Sequence, residues 1–377
     1  MTRFLIGTTK GLFLLDEAGG GGWQVSGPHC AGWGINHAVG EGDRLWAGGG
    51  GSFFGAGVWR SDDGGESWQL SRLSPGELDA FAEEAPDFAR SVGWTPEAPP
   101  FAAEEAEAVW SLAWAHRRLW CGVKPGRLYV SDDGGESWAP VAGLNDHPTR
   151  ADWGPGAAGL TLHTFLPDPE DPTRFWLAMS AAGVFASEDG GETWERRNRL
   201  ANADACTGHD HPAAPRDGQT GLCVHNMQAA GGMLWQQNHH GVFRSADGGR
   251  SWSDVTGGLP STFGFPIGVD PGDPDTAWTV PLNGDTEGRF PPGAAAAVWR
   301  TRDGGATWEA CRAGLPQQGC YFTVLRQAMS VAPGAVPRIA FGTNSGSVFL
   351  SDDRGDSWQE IARHLPTVLS VEAVRPA

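Results

Sequence analysis

Imidazole is the side chain best matched to proton transfer near neutral pH and to transition-metal binding, and this 377-residue chain holds 11 of them in a selective pattern. His37, His163 and His225 each open a short apolar segment, and His239 stands at a later chain reversal with His240 beside it. Asn36, Asn226 and Asn238 flank three of these four, and an amide can orient a ring or hold a polar substrate. Four neutral imidazoles brought to one point would hold a divalent transition metal, and without metal one of them would serve as general base. The plainer alternative is that such histidines satisfy polar groups along a water-filled channel. Gly208-His-Asp-His-Pro212 places two more imidazoles around a carboxylate, a weak chelate motif on its own.

The charged residues add a second layer. Among 27 basic residues only Lys10 and Lys124 are lysines, both in apparent turns, where an ammonium would meet a carboxylate or phosphate. Glu372 is the lone acid of a C-terminal apolar run and joins the histidines as a catalytic candidate. Arg326 stands within another such run and would pair with Glu372 or clamp an anion. His147, Arg150 and Trp153 fall in one polar connection that sets a cation beside an aromatic wall.

The elements that must position these groups are written in a repeat. The octapeptide Ser61-Asp-Asp-Gly-Gly-Glu-Ser-Trp68 recurs at 131–138, 187–194, 245–252, 301–308 and 351–358, with a stretched copy at 16–23. Successive box tryptophans lie about 56 residues apart, the length of one four-stranded blade with its connections. Serine and aspartate accept backbone N–H bonds within a hairpin, glycines allow positive φ, and the tryptophan packs beneath the turn. Short apolar runs before each box complete four strands. Arg3 to Thr9, Gly11 to Leu15 and Trp23 to Ser26 supply three strands of a first blade, and Val368 to Val374 supplies the fourth. The expectation is an all-β, seven-bladed β-propeller over residues 1–377, closed by pairing of the N- and C-terminal strands. Ser74-Pro-Gly-Glu77 and the spacing of Leu78, Phe81 and Ala82 predict a short helical insertion around 72–107, capped at Ser74, lying over the channel mouth. In such a ring the box turns share one face. Blade connections and second-to-third turns share the other, so His37, His163, His225, His239, Lys10, Lys124 and Arg150 are expected together at one mouth.

These boxes resemble those of the bacterial Asp-box (BNR-repeat) proteins, fold relatives of sialidases, sortilin-type receptors, xyloglucanases and a photosystem assembly factor. Asn36-His-Ala38, Leu144 to Arg150, Gln237-Asn-His239, Phe263-Gly-Phe-Pro266 and Leu369-Ser-Val-Glu372 are similar to a cytoplasmic bacterial group that carries the label glycosyl hydrolase or exo-sialidase. Sialidase chemistry implies an arginine triad and a tyrosine nucleophile. This chain has two tyrosines, Tyr129 on an outer strand and Tyr321 opening an inner one, and lacks the Arg-Ile-Pro motif.

Composition narrows the partners. The net charge of −18 excludes the basic footprint of nucleic-acid or anionic-membrane binding. The six boxes contribute −11 of it, so the acidity belongs mostly to the scaffold. Six cysteines without CxxC spacing read as reduced thiols of a cytoplasmic protein. Three function classes stand: a hydrolase or lyase acting on a small polar or anionic molecule at a histidine-rich, metal-binding mouth; a glycoside hydrolase with two carboxylates; and a non-catalytic binding or assembly propeller. The histidine-rich mouth favours the first.

Overall fold

The structure is a computed structural model that describes residues 2–94, 106–202 and 218–375. Seven four-stranded antiparallel sheets form the blades of a β-propeller. The first blade is the closure: Val368–Ala373 pairs with Arg3–Thr8, Phe4 opposite Ala373 and Leu5 opposite Glu372, followed by Gly11–Glu17 and Trp23–His29. The ends of the chain thus share one sheet, and the C-terminal strand is the inner strand of the blade that the N-terminus begins. The remaining inner strands are Ile35–Glu41, Ala108–Ala115, Thr161–Pro167, Val224–Ala230, Gly264–Asp270 and Met329–Ala332.

Each box folds as its residues dictate. In blade 4 the Ser187 hydroxyl donates to Asp189 at 2.8 Å and accepts the Gly191 N–H at 2.9 Å. Asp189 accepts the Thr193 N–H at 2.9 Å, and the accepted bonds hold its carboxyl below the usual range. A second set of tryptophans explains the richness in that residue: Trp46, Trp176 and Trp278 each donate to a carbonyl in the box turn of the next blade (Gly134, Gly248 and Arg354, at 2.7, 2.9 and 3.1 Å). Boxes therefore stitch neighbouring blades as well as turning the chain.

The inner strands share another device. Register shifts at Ile35/His37, Val109/Ser111, Leu162/Thr164 and Val224/Asn226 mark a β-bulge near the start of four of them. A bulge re-aims its side chain out of the regular alternation. Here the re-aimed residues include Asn36, His163 and His225.

The insertion after blade 2 contains two helices, Glu77–Glu84 and Pro86–Ser91. The cap differs from expectation: helix one starts after Gly76, whose N–H donates to Asp79 at 2.7 Å. Ser74 instead donates its hydroxyl to Ala106 O and accepts the Ala56 N–H. The helix is anchored by a buried Arg72–Asp79 pair and by Glu77 and Leu78 N–H bonds to Ser52 and Phe53. It therefore packs on a rim turn of blade 2. Tyr321 also departs from expectation: it is 70 % exposed, outside any strand, and packs on Phe290 at 5.1 Å.

Candidate functional site

A cavity of about 590 Å³ opens on the face that carries the blade connections and second-to-third turns. Its chemistry comes from Cys223, His225, His239, Asp285, Arg289 and Arg326, set against Phe263 and Phe265. Four parts of the chain supply these groups. Cys223 precedes the blade 5 inner strand and His225 is that strand's bulge residue. His239 occupies the next turn, tied back by its N–H to Cys223 O at 2.9 Å. Asp285 and Arg289 sit on the long turn between Pro281 and Val298, which Asn283 braces by donating to Glu287 O and accepting from Phe290 N–H. Arg326 precedes the blade 7 inner strand, and the Asn226 amide donates to its carbonyl at 2.6 Å.

The His225 ring is fixed. Its Nδ1 lies 2.6 Å from Gly264 O, an acceptor only, so Nδ1 carries the proton and Nε2 keeps its lone pair. That Nε2 lies 3.7 Å from Cys223 Sγ, and the His239 ring centroid is 5.3 Å from that of His225. Burial, then the charge of Arg326, hold the His225 pKa well below the ordinary imidazole value, so the ring is neutral at pH 7. Burial raises the Cys223 thiol. His239 Nε2 is 3.7 Å from Asp285 Oδ2.

Both arginines stack on one ring: the Arg326 and Arg289 guanidinium carbons lie 5.1 and 5.9 Å from the Phe265 centroid. Among the described residues no carboxylate pairs with either, and the buried Arg326 Nε has no hydrogen-bond partner.

The expected four-histidine centre is narrowed. One donor each from Cys223, His225 and His239 lie within 4.8 Å of one another, and among the described residues His37 and His163 are not part of that group. They line a second, narrower cavity of about 200 Å³ along the channel, with Glu372, Asn226, Gln327 and Arg375. Both rings are engaged by the backbone of the neighbouring blade. His37 Nδ1 accepts the Leu112 N–H at 2.9 Å, and His163 Nε2 donates to Val224 O at 2.7 Å. Burial lowers their pKa values to about 4 and about 3. Glu372 keeps a little surface on the channel, yet burial pushes its carboxyl up to about 7. It does not pair with Arg326, which lies in the other cavity.

The remaining candidates hold structure at or near the rim. Asn36 donates to Val109 O at 2.8 Å, and Asn238 donates to Gly221 O at 2.5 Å. His147 is buried, bonds Trp194 O at 3.0 Å and packs on Trp153. Arg150 donates to Gly126 O at 2.8 Å and lies over the Trp153 ring at 5.2 Å. Lys124 pairs with Glu107 at 2.8 Å, and Lys10 is exposed in the turn after Arg3–Thr8. Both lysines stand on the face expected, but neither lines the large cavity. The 208–212 stretch lies outside the described residues. Sequence reasoning missed Cys223, Asp285 and Arg289. The i, i+2 spacing of Cys223 and His225 was the available signal.

The BNR/Asp-box repeat profile matches residues 129–140. With the same turn built in successive blades, the chain is a seven-bladed β-propeller that carries the Asp-box repeat. A GH74 xyloglucanase from Xanthomonas campestris is similar over 96 % of this chain and 52 % of its own, at 16 % identity and a TM-score of 0.63. A GH74 enzyme from Niastella koreensis matches at 14 % identity and 0.63, over the same shares. The chain thus spans about half the length of these enzymes. A Bacteroides uniformis protein described as a 6-phosphogluconolactonase is similar over 99 % of both chains, at 12 % identity and 0.55. At these identities the likeness is one of fold. No curated protein sequence matches the chain.

Proposed function

We propose that the large cavity binds a small anionic molecule, carboxylate or phosphate, and that the protein is a hydrolase or lyase acting on it. The observation that carries this is the pair of guanidiniums, Arg289 and Arg326, both over Phe265 and neither bonded to a described carboxylate. The buried Arg326 Nε without a partner is costly, and a carboxylate or phosphate complements that fork together with the half-buried Arg289. The neutral His225 imidazole beside the clamp supplies what hydrolysis or elimination needs, a base for water or for a proton next to the clamped group. A glycoside hydrolase reading would rest on Asp152 and Asp285, both on the lining. The two guanidiniums beside them favour an anion over a neutral glycan.

Titration calorimetry with a panel of short carboxylates, sugar phosphates and anionic sugar lactones tests this reading. Binding should weaken at least tenfold in Arg289→Gln, since a hydrogen bond to a charged partner contributes about 1.5–3 kcal/mol. Arg289 is on a surface turn, so that variant should fold. Neutral oligosaccharides binding while every anion fails would overturn the proposal.

A further inference from the structure

We infer that Cys223, His225 and His239 form a binding site for one zinc-type divalent ion inside the large cavity. Three independent features of the cluster support this. One donor atom from each residue lies within 4.8 Å of the others. A tetrahedral shell with bonds of about 2.0–2.3 Å sets its donors roughly 3.5 Å apart, so the 3.7 Å between Cys223 Sγ and His225 Nε2 is already one edge of such a shell. The second feature is the tautomer. Gly264 O takes the Nδ1 proton of His225 at 2.6 Å, the backbone support that ligating histidines use to aim Nε2 at a metal. The third is rigidity. The His239 N–H bond to Cys223 O ties the third ligand to the first, and His163 bonds Val224 O, the carbonyl between Cys223 and His225.

The donor set chooses the metal. One sulfur and two nitrogens select a borderline ion over calcium or magnesium, which take oxygen. Three protein ligands leave a fourth position for water or substrate, the arrangement of catalytic rather than structural zinc. Arg326 opposes a cation here. The Cys223 thiolate offsets part of that repulsion, and an anion held by Arg289 and Arg326 offsets more. Metal and anion should therefore strengthen each other's binding by the same factor. That last point rests on the anion reading; the metal site rests on its donors alone.

Cobalt(II) titration of untagged protein, stripped with chelator and held under reductant, tests the site. One equivalent should bind with a sulfur-to-cobalt charge-transfer band in the near ultraviolet and intense four-coordinate visible bands. Cys223→Ser should abolish the charge-transfer band, and His239→Asn should weaken binding at least tenfold. Cys30→Ser, elsewhere in the fold, should change neither. Cobalt binding without the band, a band that survives Cys223→Ser, or no stoichiometric binding would each overturn the site. Calorimetry of the stripped protein with the carboxylate panel separates the two readings. Anion binding without metal binding removes the metal site alone, and metal binding without anion binding removes the anion reading alone.

Discussion

The histidines of this chain do two jobs that a residue type cannot distinguish. Asn36, His163 and His225 stand at matching β-bulges, and each bonds the backbone carbonyl just before the next bulge, that of Val109, Val224 and Gly264. Ser111 does the same toward Leu162 at 2.9 Å. These side chains lace the inner strands of blades 2 to 6 one to the next, which explains why Asn and His recur at strand openings. His225 differs only in using Nδ1 for the lace, which leaves Nε2 for the cavity. That choice depends on ring orientation, which spacing does not carry; the sequence could place His225 at the mouth but could not rank it above His163. Two-bond nitrogen–proton NMR should show the Nδ1–H tautomer for His225 and the Nε2–H tautomer for His37, whose Nδ1 accepts the Leu112 N–H. An Nε2–H His225 would mean the Gly264 contact is not formed.

At the scale of the element, nearly everything was legible, because an Asp box is local chemistry repeated in register. The serine, aspartate and glycines specify a turn whatever the neighbouring blade holds. The tryptophan's depth is less local. Trp252 has no exposed surface and donates to Arg197 O at 3.0 Å, whereas Trp68 is only partly covered. Trp252→Ala should cost about 3–5 kcal/mol, measured by urea unfolding, and Trp68→Ala clearly less. Equal losses at the two positions would contradict the difference in burial. The helical insertion shows the limit of such reading. Its capping signature fitted Ser74, yet long-range bonds to Ala56 and Ala106 claimed that hydroxyl, and Asp79 took over the cap. Arg289 and Asp285 were missed for a related reason, since a long turn without periodicity says nothing of where it folds.

The whole molecule is a ring whose last strand carries the only carboxyl, among the described residues, that is pushed above its ordinary pKa. Glu372 lies on the closing strand and shares the channel with His37 and His163, with Arg375 and Ser330 the groups that favour its charge. Sequence could place this strand by counting blades. It could not show that closure buries a carboxyl, which depends on six other inner strands converging. The folded pKa of about 7 stands above the unfolded 4.5, so between those values the native ring keeps a proton that the unfolded chain has lost. Stability therefore falls as pH rises from 4.5 to 7, and the full penalty stands above pH 7. The shift sets an upper bound of about 3 kcal/mol. His37 and His163 act in the opposite direction. Their folded pKa values, about 4 and about 3, lie below the unfolded 6.5, so their contribution is present above pH 6.5 and is lost as pH falls. Opposing slopes flatten the profile of the native protein near pH 5–6. Glu372→Gln removes one of them. It should raise the urea midpoint at pH 8, leave it nearly unchanged at pH 4, and steepen the rise of stability between the two. A variant destabilised at pH 8, or stabilised equally at both, would show that Glu372 is not held protonated by the closed ring.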